Sequence, residues 1–506
     1  MKRPAGGPFR LMLVELSPDA PQRLFRTAAY PFLMGLARAC GWRCSWCVLG
    51  VRYDPTVRYM LAPADLGRLR TEAARRRPHV IVLNEWLPRE QLAALRRAGG
   101  SRTVYSPMDD DLHSLGDFIR RRIRRVEEPR LDGPGLLDAI RPVFRRRILN
   151  RAPWAAAPRY NIVAGARCSY RTPAAANPFF RRLRVPQPTM GCSFCDTPMR
   201  RPPTQDPAAC AAAQVAAACR ERPAGGGELH FNLVGSELWL RLEDFTQALL
   251  RARARGAELA FMPRADELLA GRAALRRCLP LLARRRLAVR LYGMGVENFS
   301  ESENRRLNKG ITAEQVHEAA AFIAETTRRW PGDFRFQSGT MSMILFTPWT
   351  SLQDLLCNAR NIARCPLICP YFVLGQRLQL FPGRPITLLA ERDGLLAPAR
   401  RDRFYNSGCI ISFDQQEVPW RFRHPEVALL WSLGRRICAG HGRSIPGDPE
   451  AQAIAVLLDR YAGPDRDPMP LFVRAIGALA RRPGTGSLDE LLRSLLPATS
   501  SCRRGP

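Results

Sequence analysis

Three cysteines in this 506-residue chain are spaced for a common task. Gly191-Cys192-Ser193-Phe194-Cys195 sets two thiols in a CxxC within a Gly- and Pro-bounded loop, and Cys168 lies upstream, just past a strand-like run. Three thiolates brought to one loop at the mouth of a barrel can hold three irons of a [4Fe–4S] cluster. The fourth iron then stays open for another ligand. Zinc is the competing reading, but it asks for four ligands, commonly from two such pairs. A second pair does exist, Cys44-Ser45-Trp46-Cys47, in a segment that reads as a strand. Alternation along a strand sends those two sulfurs to opposite faces, which suits core thiols better than ligands. Cys210 competes with Cys168 for the third place, but it lies in an Ala-rich helical run where a small buried cysteine is expected. Cys357, Cys365, Cys369 and Cys409 are read as core or loop thiols ahead of an auxiliary cluster.

Such thiols need a scaffold, and the hydrophobic pattern supplies two. Strand-like runs at 9–16, 42–49, 80–84 and 102–106 alternate with helical patterns at 22–40, 64–77 and 88–98. That alternation predicts a doubly wound, Rossmann-like parallel sheet over residues 1–116. An Arg-rich stretch with helical pattern, 117–158, reads as a connector ending in the Pro/Ala-rich break at 152–159. A second alternation follows, with strands expected at 160–165, 228–235, 258–263, 287–295, 334–346 and 371–381. Six βα-type units over 159–385 predict a partial (β/α)₆ barrel of the TIM type, whose ligands sit at the carboxyl ends of the strands. Residues 386–506 read as a mostly helical accessory region. The fold class is therefore α/β.

Composition narrows the function classes. Hydrophobic residues make up 46% of the chain, as in a folded protein rather than a disordered one. The net charge is +32, which first suggests nucleic acid. Yet only Lys2 and Lys309 are lysine, and arginine is spread along the whole chain, with local runs in amphipathic helical stretches. These read as solvated helix faces. A basic, zinc-containing nucleic-acid-binding protein is the alternative function. It calls for aromatic and basic residues interleaved on strand faces, where this chain has mainly aliphatic ones. No apolar run is long enough for a transmembrane helix and the N-terminal stretch is not a signal peptide, so a cytoplasmic protein with reduced thiols is expected.

The cysteine segment resembles the radical SAM superfamily, whose usual motif is CxxxCxxC after the first barrel strand with an aromatic residue before the last cysteine. Phe194 holds that aromatic place. Here residues 169–191 separate Cys168 from Cys192, so this insertion must loop out for the thiolates to converge. Later motifs fall on the expected strands. Leu233-Val234-Gly235-Ser236-Glu237 resembles the family's GGE element, which meets the amino group of S-adenosylmethionine (SAM). Arg264-Ala265-Asp266 resembles its RAD element, and Gly293-Met294-Gly295-Val296-Glu297-Asn298 its GVES element. Lys309 stands where the family often has lysine, and Phe346–Thr350 and Leu380–Gly383 resemble two further turns. The resemblance implies a [4Fe–4S] cluster on Cys168, Cys192 and Cys195. It implies SAM contacts from Phe194, Gly235, Ser236, Glu237, Arg264, Glu297 and Lys309. It also implies reductive cleavage of SAM to a 5′-deoxyadenosyl radical that acts on a substrate, and a reductase, flavodoxin- or ferredoxin-type electron donor. The same core serves cobalamin-dependent methylation and peptide or natural-product modification.

The domain order resembles that of family members with an N-terminal cobalamin-binding-like domain. Asp111-Leu112-His113-Ser114-Leu115-Gly116 fits DxHxxG, the signature of a cobalt-ligating histidine, which makes His113 the cobalamin candidate. The motif follows the fourth strand of its domain rather than the first, and Asp109, Asp110 and Asp111 occupy the place of a glycine-rich loop.

Overall fold

The structure is a computed structural model. It describes residues 8–18, 30–51, 61–83, 87, 89–100, 102–105, 142–150, 159–163, 168–185, 190–195, 206–221, 228–234, 237–337, 341–398, 418–440, 449–462, 467–482 and 484–496. Two parallel sheets organise it. The first runs in the order β4-β3-β1-β2-β5, from β1 (Arg10–Pro18), β2 (Arg43–Val51), β3 (Val80–Leu83), β4 (Arg102–Tyr105) and β5 (Arg147–Ile148). β1 is central because its apolar run buries both faces, as parallel strands under helices must. Met12, Val14 and Leu16 pack with Cys47, Leu49, Ile81 and Leu83 beneath Leu69 and Ala73 of the helix Pro63–Arg76. On the other side, the hydroxyl of Tyr30 donates to the carbonyls of Val14 at 3.1 Å and Val82 at 3.2 Å.

β5 corrects an expectation. The Arg-rich stretch was expected to be helical throughout, but 142–146 is extended and Arg147–Ile148 adds to the edge of β2. Buried acids on β1 and on the helix Pro63–Arg76 explain the departure. Arg146 reaches the buried Glu15 at 3.5 Å and Arg147 reaches the buried Glu72 at 3.2 Å, which an outward-facing helix would not allow. Residues 117–141 lie outside the described residues.

The second set comprises β6 (Arg159–Val163), β7 (Leu229–Val234), β8 (Ala257–Phe261), β9 (Leu287–Leu291), β10 (Met294–Glu297), β11 (Phe334–Phe336) and β12 (Met341–Met343). Five of these form a parallel sheet in the order β11-β9-β8-β7-β6, while β10 and β12 form a separate parallel ladder. One face is apolar: Leu229, Phe231, Leu233, Leu259, Phe261 and Val289 pack under the helices Leu242–Arg251, Arg272–Ala283 and Ala313–Arg329. The opposite face carries His230, Asn232, Glu258 and Arg290, which the register sets on alternate positions of adjacent strands.

Three expected strands are thus altered. The 287–295 run divides at Tyr292–Gly293 between two ladders, and the 334–346 run divides into β11 and β12. The 371–381 run is a short helix, Pro370–Val373, followed by an isolated bridge between Arg377 and Phe346. Proline at the first helical position, with φ preset, overrides the strand preference of Tyr371, Phe372 and Val373. The helices Pro425–Gly440, Pro449–Tyr461, Met469–Arg481 and Leu488–Leu495 bear out a helical C-terminal region, and Met469–Arg481 packs on Leu352–Ala363. No helix among the described residues is long and apolar enough to cross a membrane.

Candidate metal centre

The insertion after Cys168 folds back on itself. Pro173 and Met190 form an antiparallel bridge, and the Gly191 N–H donates to the Thr172 carbonyl at 2.9 Å. Gly191 sits at φ 84°, and a Cβ there would meet the Tyr170 carbonyl at 3.2 Å, so both backbone and space favour glycine. This hairpin returns the chain beside its start and carries the CxxC back toward Cys168.

The CxxC itself is a turn, closed by the Cys195 N–H donating to the Cys192 carbonyl at 3.2 Å. Ser193 is fully buried and locks it: its N–H donates to the Leu307 carbonyl at 2.9 Å and its hydroxyl to the Arg306 carbonyl at 2.7 Å. Asn308 completes the clamp by donating to the carbonyls of Gly191 at 2.6 Å and Thr172 at 3.3 Å. Phe194 lies half-buried against an apolar group that includes Leu307, Trp349, Leu380 and Ile386.

Two buried cations line this loop. Arg264, after β8, grips Asp266 with both arms at 2.9 and 3.1 Å, donates to the Lys309 carbonyl at 2.6 Å and places Nη1 3.7 Å from Cys192 Sγ. Its guanidinium also lies 3.9 Å above the ring of Tyr170, from the inserted segment. The ammonium of Lys309 donates to Glu297 at 2.9 Å, and both side chains are buried. Glu297 has φ 63°, a left-handed conformation that costs a non-glycine residue energy and gathers at functional sites. Ser169 donates to Glu267, whose other oxygen accepts the Arg264 N–H at 2.9 Å.

Electrostatics ties the three thiols together. Burial pushes the Cys192 thiol up to about 12; Cys195 adds to the rise, while Lys309 and Arg264 oppose it. Burial also raises Cys168, again with Cys195 adding and Arg264 opposing. At Lys309, burial works to lower the pKa, but Glu297 and Cys192 outweigh it and hold the ammonium above its usual value. Soft thiol donors flanked by cations suit an anionic, thiolate-bound iron–sulfur cluster. The structure thus brings Cys168, Cys192, Cys195, Arg264, Glu297 and Lys309 into one neighbourhood. Glu237 stands half-buried at the start of the helix Glu237–Leu240 after β7. Gly235, Ser236, His113 and Cys409 lie outside the described residues. Sequence reasoning missed Tyr170, Ser193 and Asn308. Their signal was polar residues inside or beside the motifs, but contacts so far apart in the chain are set by the fold.

The remaining cysteines are placed elsewhere. Cys44 and Cys47 sit within β2, and Cys210 is buried in the helix Pro207–Arg220. Cys365 is buried, and the half-buried Cys357 directs its thiol toward the Phe299 carbonyl at 3.7 Å. Glu228, His230 and Glu258 cluster closely enough to suggest a cation. However, Arg335 meets Glu258 at 3.0 Å and Glu228 at 3.2 Å, and Arg290 meets Glu258 at 3.0 Å. Two guanidinium groups already balance those carboxylates, and a metal ion would have to displace them.

The sequence matches no protein-family model and no curated protein. Solved structures do match it. OxsB, a cobalamin-dependent S-adenosylmethionine radical enzyme solved with aqua-cobalamin and S-adenosylmethionine bound, aligns with a TM-score of 0.54 at 12% identity, covering 96% of this chain and 74% of that one. Its apo form aligns at 0.52 over the same shares, and its aqua-cobalamin form at 0.52 over 96% and 75%, each at 12% identity. In fold, this chain resembles the radical SAM superfamily, of the type with an N-terminal cobalamin-binding-like domain.

Proposed function

We propose that the chain is a radical SAM enzyme that holds a [4Fe–4S] cluster through Cys168, Cys192 and Cys195. The observation that supports this reading is the antiparallel bridge of Pro173 to Met190, which lays the CxxC turn beside the segment that follows Cys168, with Arg264 Nη1 3.7 Å from Cys192 Sγ. When bound, the cluster supplies the electron that breaks a carbon–sulfur bond of SAM. The residues of the chain do the rest. Ser193 and Asn308 fix the turn so that the thiols keep one geometry. Phe194 and the apolar group beneath it exclude water from one side. Glu237, with Gly235 and Ser236, is proposed to accept the ammonium of SAM. A flavodoxin- or ferredoxin-type protein is the proposed electron donor.

His113 is proposed as the cobalamin ligand of the N-terminal sheet, on its sequence motif. The zinc-containing nucleic-acid-binding alternative finds no support among the described residues. The test is anaerobic reconstitution with iron and sulfide, then dithionite and SAM, with 5′-deoxyadenosine measured by mass spectrometry. Deoxyadenosine that forms in the native chain and falls to background in Cys168→Ala supports the reading and the wide cysteine spacing. A reconstituted chain that binds zinc but assembles no cluster removes it.

A further inference from the structure

We infer that Lys309, with Arg264, sets the reduction potential of the iron–sulfur cluster instead of contacting SAM. The inference rests on the proposed function. The ammonium is already engaged, donating to Glu297 at 2.9 Å, and its side chain is 5% exposed. The backbone beside it is fixed to the cysteine loop, since the neighbouring Asn308 donates to the Gly191 carbonyl at 2.6 Å, and Arg264 holds Nη1 3.7 Å from the Cys192 sulfur. The two cations are coupled through the backbone, because Arg264 donates to the Lys309 carbonyl at 2.6 Å. A buried positive charge beside a thiolate ligand favours the more negative, reduced state of the cluster, which gains one electron with no bond made or broken.

Why lysine survives here, in a chain whose only other lysine is Lys2, follows from Gly295. A Cβ on Gly295 would lie 2.8 Å from the Lys309 Nζ and 3.2 Å from Glu297 Oε1, so the ammonium fills the space a side chain would take. The broad planar guanidinium of arginine does not copy a compact point charge in such a gap. Glu297 opposes Lys309 in sign, so the pair is a matched setting: removing either member moves the potential, in opposite directions.

Redox titration of the reconstituted cluster, followed by the electron paramagnetic resonance signal of its reduced state, tests this. Lys309→Met is expected to move the midpoint to more negative values, and Glu297→Gln to more positive ones. The double variant should return close to the native midpoint, since it removes one charge of each sign. Gly295→Ala keeps the lysine but displaces its ammonium, and should move the midpoint in the direction of Lys309→Met by a smaller step. Should Lys309→Met fail to assemble its cluster, Gly295→Ala and Glu297→Gln decide by their opposite shifts. A cluster whose midpoint is unmoved in Lys309→Met, Glu297→Gln and Gly295→Ala, or moves the same way in Lys309→Met and Glu297→Gln, overturns this inference alone. A native chain that assembles no cluster overturns the proposed function and this inference with it.

Discussion

The chain holds two CxxC pairs of identical spacing, and the fold treats them differently. Cys44 and Cys47 lie within β2, an extended strand buried in a sheet, where burial pushes their thiols up to about 12 and about 11. Cys47 points at an acid, its Sγ 3.9 Å from Glu72. Cys192 and Cys195 lie in a turn, and Arg264 Nη1 lies 3.7 Å from Cys192 Sγ. A strand separates the two sulfurs of a CxxC, whereas a turn turns them toward one centre. Spacing alone does not make a ligand pair; the local backbone does.

The comparison breaks most visibly under substitution of the cysteines. Cys195→Ala is expected to reduce bound iron and sulfide after reconstitution to near background while far-ultraviolet circular dichroism stays native. Cys44→Ala should leave the iron content unchanged. Equal losses in both would erase the distinction between the pairs.

Arg264→Met probes the cationic side of the loop pair. It removes the two bonds to Asp266, the bond to Lys309 and the contact with Cys192, and should cost about 2 kcal/mol in urea unfolding, at the level of hydrogen bonds to charged groups. Iron should be retained more weakly against a chelator. Unchanged stability and retention would mean that the charge beside Cys192 is incidental.

The smallest effect concerns the acid beside the strand pair. Burial works against ionisation of Glu72, but the guanidinium groups of Arg75 and Arg76, with Arg147, outweigh it and hold the carboxyl at about 2. A depressed carboxyl contributes stability that is complete above the ordinary carboxyl range and is lost as pH falls toward the folded value. Glu72→Gln should therefore flatten the fall in melting temperature between about pH 5 and about pH 2. Its iron content should match the native chain. A native-like acid limb in Glu72→Gln would assign the loss to other carboxylates.

Much of this was legible in the residues themselves. The continuous apolar runs of β1 and β3 and the alternation in β7 announced two parallel sheets. The Gly-bounded CxxC announced a loop, and the RAD- and GVES-like elements fell beside it. Other features were not. Residues 371–381 carry strand-forming side chains, yet Pro370 starts a helix there. Residues 142–148 read as helix, yet the buried Glu15 on β1 and Glu72 on the helix Pro63–Arg76 hold Arg146 and Arg147 at the sheet edge.

What the sequence by itself determined is the thiol chemistry and the alternation that builds a doubly wound sheet and a second βα series, because ligand type and side-chain period are local properties. What only the tertiary structure decided is which thiols meet and what charge faces them. Ser193 is anchored by residues 306 and 307, Tyr170 receives the guanidinium of Arg264, and the Lys309 ammonium fills the gap left at Gly295. Such contacts join segments far apart in the chain, and they form only once the packed sheets and helices have fixed where each segment lies.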